Sequence, residues 1–448
     1  MIHHSTLFGK NALGIGLLAA LTLHGCAGGV STREVAGYDG NLAQGNYAGA
    51  STLAVGAGQI GPDGRSSNLL WSLNAGAAMT YAGESGRTIV VLDEAEAMMK
   101  RRDLGTTAEK GQYHARTYDG VMVNAYKAIS AMHDGHSDVA RTELLRSEDR
   151  QSRAETDYQT EIAADRAKGN SDSADLQGML SSARTNTDYQ AAARDMANFG
   201  AYKPFINPFA TYLAGLYFLN TADADKEKAR NAFQRVRGII GGSTLVDGDY
   251  ALASQRTKFT PKTWVIFENG QGSTLTEYSL TFPVPFVGRH TGVGIATVAM
   301  PRLQENSPAA TCLLVGDKGE RTSVVGNFDY VMRSEFQRRY PAILSIAVAE
   351  AIAKIALQNA AAQEKTGIAL LAAIVVSNIS TADVRSWSAL PKDFQVARIE
   401  APGDGMVRLR TDTGAEFGSI KVPADASSIV YVKALRPGSP PAIQVLRF

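Results

Sequence analysis

The sequence predicts an α+β protein: an N-terminal α-helical repeat region, then an antiparallel β-domain with an inserted helical hairpin. Three observations predict it. Apolar residues recur at helical spacing from about residue 42 to 245. Near Thr263 the period changes to two, as in half-buried strands. Between 328 and 383 the strand pattern stops and an Ala-rich apolar stretch of helical character takes its place.

Taken in order, 1–25 read as an export signal. Lys10 is their only charged side chain, and Ala12 to Leu23 are almost wholly apolar or small. That run is shorter than the roughly 20 residues needed to span a bilayer. Leu23-His24-Gly25-Cys26 resembles the lipobox of bacterial lipoproteins, with His24 an unusual occupant of the middle position. The resemblance implies cleavage before Cys26 and a lipid, palmitate included, on its thiol. Stable anchoring takes two or more acyl chains, which a lipidated Cys26 would supply. Ala27, rather than Asp, follows the Cys. In the sorting rule of enteric lipoproteins this implies the outer membrane, with the body facing the periplasm. Residues 26–41 are then a lipidated tether.

Without Lys10 the chain has 44 basic and 44 acidic residues. A nucleic-acid binder would carry a basic excess, so that partner is not expected. Once Cys26 is acylated, Cys312 has no partner for an internal disulfide. It sits in an apolar run and reads as a small buried hydrophobe.

Helical pairs fill 42–245. Gly45-Asn46-Tyr47-Ala48-Gly49-Ala50 resembles the turn of a tetratricopeptide repeat, where small residues let two helices approach. Leu70, Leu73, Ala77 and Tyr81 form one apolar face, and Ile89 to Met99 a return helix. Tyr118, Met122, Ala125, Tyr126, Ile129 and Met132 form the clearest stripe. Asn207-Pro208 caps a helix carrying Phe209, Tyr212, Leu213, Leu216 and Tyr217, whose partner carries Ala229, Ala232, Phe233 and Val236. The equivalent small residues Ala50, Thr88, Ala140 and Ala229 are 38, 52 and 89 positions apart, so any repeat is irregular. Residues 148–198 have helix formers but few large apolar side chains, and read as an extended, solvated helical segment broken near Gly169.

Three motifs in this half have bland readings. Gly56-Ala57-Gly58-Gln59-Ile60-Gly61 matches the dinucleotide fingerprint in letters, but a helical segment precedes it and Pro62-Asp63-Gly64 follows, so it reads as a flexible loop. Asp93, Glu94 and Glu96 read as a solvated helix face. His133 and His136 flank a turn with no third ligand nearby, and read as capping and surface residues.

In the β-domain, 260–448, Trp264-Val265-Ile266-Phe267 is a strand run. Tyr278, Leu280, Phe282 and Val284 alternate with polar residues, and Val293, Ile295 and Thr297 suggest the returning strand. Gly316-Asp317-Lys318-Gly319 marks a hairpin. Within 328–383 two helices are expected, Tyr330 to Gln363 and Gly367 to Ser380. The apolar run Ile368 to Val376 is too short to span; it reads as a buried core helix, with an interfacial membrane contact as the alternative. After a linker at 385–391, strands resume around Val396, Val407, Leu409, Ile420, Ile429, Tyr431 and Val445.

Three separated stretches carry a resemblance. Asn207-Pro208-Phe209, Thr263-Trp264-Val265-Ile266-Phe267-Glu268-Asn269-Gly270 and Asp383-Val384-Arg385-Ser386-Trp387-Ser388-Ala389-Leu390-Pro391 resemble a family of uncharacterised bacterial lipoproteins with tetratricopeptide-like repeats. Val384 stands where that family's motif has a more polar residue. The resemblance implies an envelope protein, often encoded beside a lipoprotein similar to activators of penicillin-binding proteins. It implies no activity. Read alone, the latter two stretches are a strand with its turn and an interdomain linker, with Trp264 and Trp387 as core anchors.

No Gly-x-Ser-x-Gly, His-Glu-x-x-His or Cys-His nucleophile pattern is present, and His114, His133, His136 and His290 are the only histidines after Cys26. The expectation is therefore a non-enzymatic envelope scaffold. It has no catalytic residues, metal or cofactor, Cys26 is the one site residue, and a protein or lipoprotein is the partner. The alternative is a glycan-binding module or hydrolase built on the β-domain.

Overall fold

The computed structural model describes residues 32–103, 113–169, 174–198, 201–202, 207–255, 258–286, 292–363 and 381–448. Cys26, His290 and the expected helix 367–380 lie outside them.

The N-terminal half is helical: α1 Thr32–Ala43, α2 Tyr47–Gly58, α3 Leu69–Ala82, α4 Ser85–Asp103, α5 Thr117–Asp134, α6 Ser137–Gly169, α7 Ala174–Thr185, α8 Thr187–Asn198, α9 Pro208–Thr221, α10 Lys226–Ile240 and α11 Thr244–Ser254. Local chemistry sets many ends. The Asn46, Asn68 and Asn207 side chains accept hydrogen bonds from the first free amides of α2, α3 and α9. Gly83 and Gly135 close α3 and α5 in the left-handed conformation.

Each helix from α1 to α6 packs on its sequence neighbour, as do α9 to α11. The helices form two layers. Helices α3, α5 and α9 are buried on every side over Leu69–Tyr81, Tyr118–Met132 and Pro208–Leu219. Helices with so little exposed face must be covered all round, and α5 also buries Asp119 and Lys127. Here α2, α4, α6 and α10 cover one side, while α3 and α5 meet β11 and α9 meets β6 on the other.

Eleven strands follow among the described residues: β1 Lys262–Asn269, β2 Thr274–Phe286, β3 Gly292–Gln304, β4 Leu313–Val315, β5 Glu320–Arg321, β6 Ser323–Asn327, β7 Asp393–Glu400, β8 Met406–Thr411, β9 Glu416–Lys421, β10 Ser428–Ala434 and β11 Ala442–Leu446. They form a five-stranded sheet in the order β11-β10-β1-β7-β6, a four-stranded sheet β5-β4-β8-β9 and the hairpin β2-β3. The expected all-antiparallel sheet is corrected here: β1 and β10 are parallel, in register Thr263↔Ser428 to Asn269↔Ala434. Chain parity explains it. After β7, antiparallel to β1, the chain passes through β8 and β9 in the other sheet, so β10 re-enters running with β1.

Alternation on β1 then builds two cores. Trp264 and Ile266 face the helices, in a cluster shared with Tyr38, Trp71, Tyr126, Phe209 and Trp387. Val265 and Phe267 face the small sheet, with Leu313, Val315, Val407 and Leu409. The boundary between 245 and 260 thus divides helices from strands, but one core spans it.

The insertion begins with α12, Phe328–Gln363, a single long helix with Pro341 inside. Its Phe336, Tyr340, Leu344 and Val348 cover the apolar face of β2-β3, the side of Leu280, Phe282, Val298 and Met300. The same satellite core corrects the reading of 148–198 as wholly solvated. Helices α7 and α8 fold back, with Leu180 and Ala183 buried in that core and Tyr189 packed against it. A narrow apolar stripe is enough to cover one flank of a two-stranded sheet. Among the described residues no helix is long and apolar enough to cross a membrane.

Candidate functional site

The strongest concentration of chemistry lies where α3 and α5 meet β1 and β10. Glu268 and Lys433 are register partners on the parallel strands and are both fully buried. Lys433 Nζ stands 3.2 Å from Glu268 Oε1, 3.0 Å from Gly270 O and 3.5 Å from Ala389 O. The same Oε1 accepts from Tyr81 at 2.7 Å and Tyr126 at 2.8 Å. Tyr431 donates to Oε2. Burial, then the Glu268 charge, pushes all three phenols well above the ordinary tyrosine range, so they stay donors. Burial also pushes the Lys433 amine below the ordinary lysine range, against the opposing pull of Glu268.

The three stretches behind the family resemblance converge on this surface. Trp387 stands edge-on to Tyr126, with ring centroids 5.6 Å apart. Gln271 donates to Ser388 O at 3.1 Å, and Gly272 N to Leu390 O at 2.8 Å. Gly270 turns the chain at a φ of 68°, and a Cβ there would meet Pro308 Cα at 3.0 Å. Phe209 stacks on Phe394, centroids 3.5 Å apart and planes 3° apart. Trp264 and Trp387 are buried, as their anchor reading expects. Trp264 Nε1 donates to Asp249 Oδ1 at 3.1 Å, and Asp249 also accepts from Tyr212 at 2.5 Å and pairs with Arg398. These stretches join the helices to the sheet.

A second buried centre lies among α4, α5 and α6. The fully buried Lys127 Nζ meets Asp93 at 2.6 Å, Glu143 at 2.9 Å and Glu96 at 3.1 Å. Arg150 adds 2.6 Å to Glu96. The solvated-face reading of Asp93, Glu94 and Glu96 is therefore corrected for Glu96, which is 5% exposed. Burial alone would raise the Glu96 carboxyl, but Lys127 and Arg150 outweigh it and hold it at about 2.

At the first turn of α5, Asp119 is fully buried, and burial pushes its carboxyl up to about 7. Its Oδ2 accepts from Tyr113 at 2.6 Å and from Arg116 N at 2.7 Å. Glu335 of α12, 1% exposed, accepts from Thr117 N at 3.0 Å and pairs with Arg339 at 2.8 Å. Among the described residues, Asp119 Oδ1 and Glu335 Oε2 have no hydrogen-bond partner. Glu335 borders a narrow cleft walled by Tyr118, Leu303, Phe336 and Ile343.

The remaining motifs fall as follows. Gly56 and Gly58 close α2 and Gln59 is left-handed at a φ of 49°. The glycine-rich stretch thus ends a helix, whereas phosphate binding needs one to begin. The flexible-loop reading gives way to helix over its first three residues. His133 Nδ1 lies 3.3 Å from Val445 O, and His136 N donates to Ala131 O at the helix end. Among the described residues no group of three His, Cys, Asp or Glu could hold a metal ion. Cys312 is buried.

Glu268 and Lys433 escaped the sequence reading, although a signal existed. Alternation puts Glu268 on the face of Trp264 and Ile266, and Lys433 on that of Ile429 and Tyr431. A charged residue at an inward strand position must find a partner there. No family model, curated protein or solved structure matches the chain.

Proposed function

We propose that this chain is an outer-membrane lipoprotein, held through lipid on Cys26 and facing the periplasm, that acts as a protein-interaction scaffold of the cell envelope. The observation that carries the reading is the helical half itself. Helices packed on their sequence neighbours in two layers support a tetratricopeptide-like reading, and repeats of that kind bind peptides and helices along an extended surface. The far half of α6 supports it: beyond Ala154 its described side chains are exposed, Glu155 and Gln159 among them. The lipobox-like ending at Cys26 supports the membrane link. The resembled family's gene neighbourhood supports another lipoprotein, linked to cell-wall synthesis, as the partner.

The test is site-specific photo-crosslinking in the full-length, membrane-bound protein. Probes at Arg153 and Gln159 on α6 should join the neighbouring activator-like lipoprotein, and a probe at Glu416 on β9 should not. Crosslinks from β9 alone would reverse the assignment and favour the β-domain as the binding element.

A further inference from the structure

Lys433 and Glu268 are held as reactants are held. They lie on adjacent parallel strands, in direct register, with no exposed surface. Two opposite charges buried this way are costly, because each has lost its hydration. Transfer of one proton from Nζ to Oε1, across their 3.2 Å contact, gives a neutral amine and a neutral acid. The two remaining N–H bonds then have ready acceptors, Gly270 O at 3.0 Å and Ala389 O at 3.5 Å. With Cε and those two hydrogens fixed, the fourth tetrahedral direction of Nζ, its lone pair, points to the Glu268 carboxyl. The displaced population of neutral amine is favoured by burial of Lys433.

We propose that Lys433 Nζ and Glu268 Cδ become joined by an intramolecular amide, an isopeptide bond between β10 and β1. The Nζ lone pair attacks Cδ and the negative charge develops on Oε2. Tyr431 already donates to that oxygen, as an oxyanion donor must. A second proton passes from Nζ to Oε1, and the Cδ–Oε1 bond breaks. Oε1 leaves as water with two of the three ammonium hydrogens; the third stays on the amide nitrogen, and Oε2 becomes the carbonyl oxygen. Tyr81 and Tyr126 hold the departing oxygen. No oxidant or co-reactant is needed. Fixed reactants of this kind reach effective molarities of about 10⁵ M and above, which is how an ordinarily unfavourable condensation can proceed in a dry core. The bond would staple strands whose linked residues are 165 positions apart, in a chain whose Cys312 is a free thiol. The inference is independent of the scaffold reading.

Peptide mapping of the purified full-length protein decides it. After denaturation and trypsin, the linear peptide Val422 to Lys433 should be missing, because trypsin does not cut after an acylated lysine. A branched peptide joining 263–289 to the stretch that begins at Val422 should appear, one water lighter than its two parts. Glu268→Ala should restore the linear peptide. Recovery of the linear peptide from the wild type, with the full sequence mass for both segments, would overturn the proposal.

Discussion

At the scale of single residues, the buried charges make the sharpest statements. Lys127 is surrounded by Asp93, Glu96 and Glu143, and the last two are 5% and 3% exposed. Lys127→Met removes the one fully buried cation that these carboxylates share, leaving each only a partly exposed one, Arg150 on Glu96 and Arg146 on Glu143. Breaking such a centre from one side typically costs about 3–5 kcal/mol. Chemical denaturation should show that loss, and adding Glu96→Gln and Glu143→Gln should recover part of it. A loss below about 1 kcal/mol would mean that water reaches the centre. Asp119 behaves in the opposite sense. Its carboxyl sits at about 7 in the fold, against about 3.9 in an unfolded chain. The fold therefore favours the protonated acid. Its stabilising contribution is full below about pH 4 and is lost as pH rises through about 7. Asp119→Asn keeps an oxygen for Tyr113 and Arg116 N but cannot ionise. Measured by thermal unfolding, the variant should gain on the wild type as pH rises over that window, by up to about 1.4 kcal/mol per unit, and the gain should level off above it. Tyr113, Arg116 and Tyr118, with Glu335 and Arg339 of α12, are the charged or titratable neighbours that shape the curve. An offset independent of pH would show that Asp119 is already ionised in the fold.

At the scale of elements, the hairpin β2-β3 joins no third strand among the described residues. Such a ribbon invites pairing with another chain. Pro283 and Pro285, two apart on β2, have nitrogens that point the same way, and Pro301 lies within β3 opposite Glu277. Thr281, two residues before Pro283, gives its carbonyl to Asn186 rather than to β3, so at this parity the backbone of β2 faces the open edge, where the missing N–H groups fall. Replacing both by Thr should restore donors there and produce soluble higher-order species in sedimentation velocity. A variant that sediments as the wild type does would show that the edge is guarded otherwise. Elements of this kind also mark what the sequence made legible. The stripe Tyr118 to Met132 and the alternation Tyr278 to Val284 located α5 and β2, because a period reports directly which face is buried. It does not report what covers that face. The return of α7 and α8 onto the hairpin rests on Leu180, Ala183 and Tyr189, too few to raise a signal among their polar neighbours. The parallel pairing of β1 and β10 depends on strands in another sheet, so no local pattern encodes it. The same holds for Lys127 and Glu96, 31 positions apart, whose charges look solvated until three helices enclose them.

At the scale of the whole molecule, anchoring and folding make separate predictions. Cys26→Ser should release the protein from membranes and leave its melting unchanged; palmitate labelling equal to the wild type would refute the lipid site. Folding is where the two halves cannot be treated apart. Trp264, Ile266, Trp387, Phe394 and Tyr431 share one core with Tyr38, Trp71, Tyr126 and Phe209. Cutting the chain at 240 would bare the sheet-facing sides of α3, α5 and α9 along their whole length. It would strand Tyr81 and Tyr126 without Glu268, and remove the strand that carries Trp264, which Asp249 of α11 holds. Each large side chain lost from such a core costs about 3–5 kcal/mol, and a domain has only about 5–15 kcal/mol in all. A piece comprising 42–240 is therefore expected to keep helical far-ultraviolet dichroism, lose its near-ultraviolet signal and melt without cooperativity. The piece 260–448 should fare no better, with Glu268 and Lys433 opened to water. Mixing the two gives the decisive measurement: the cooperative transition should return only then. A cooperative transition in 42–240 alone would show that the inner helices find other cover, and that the sheet is an attachment to a helical domain able to stand by itself.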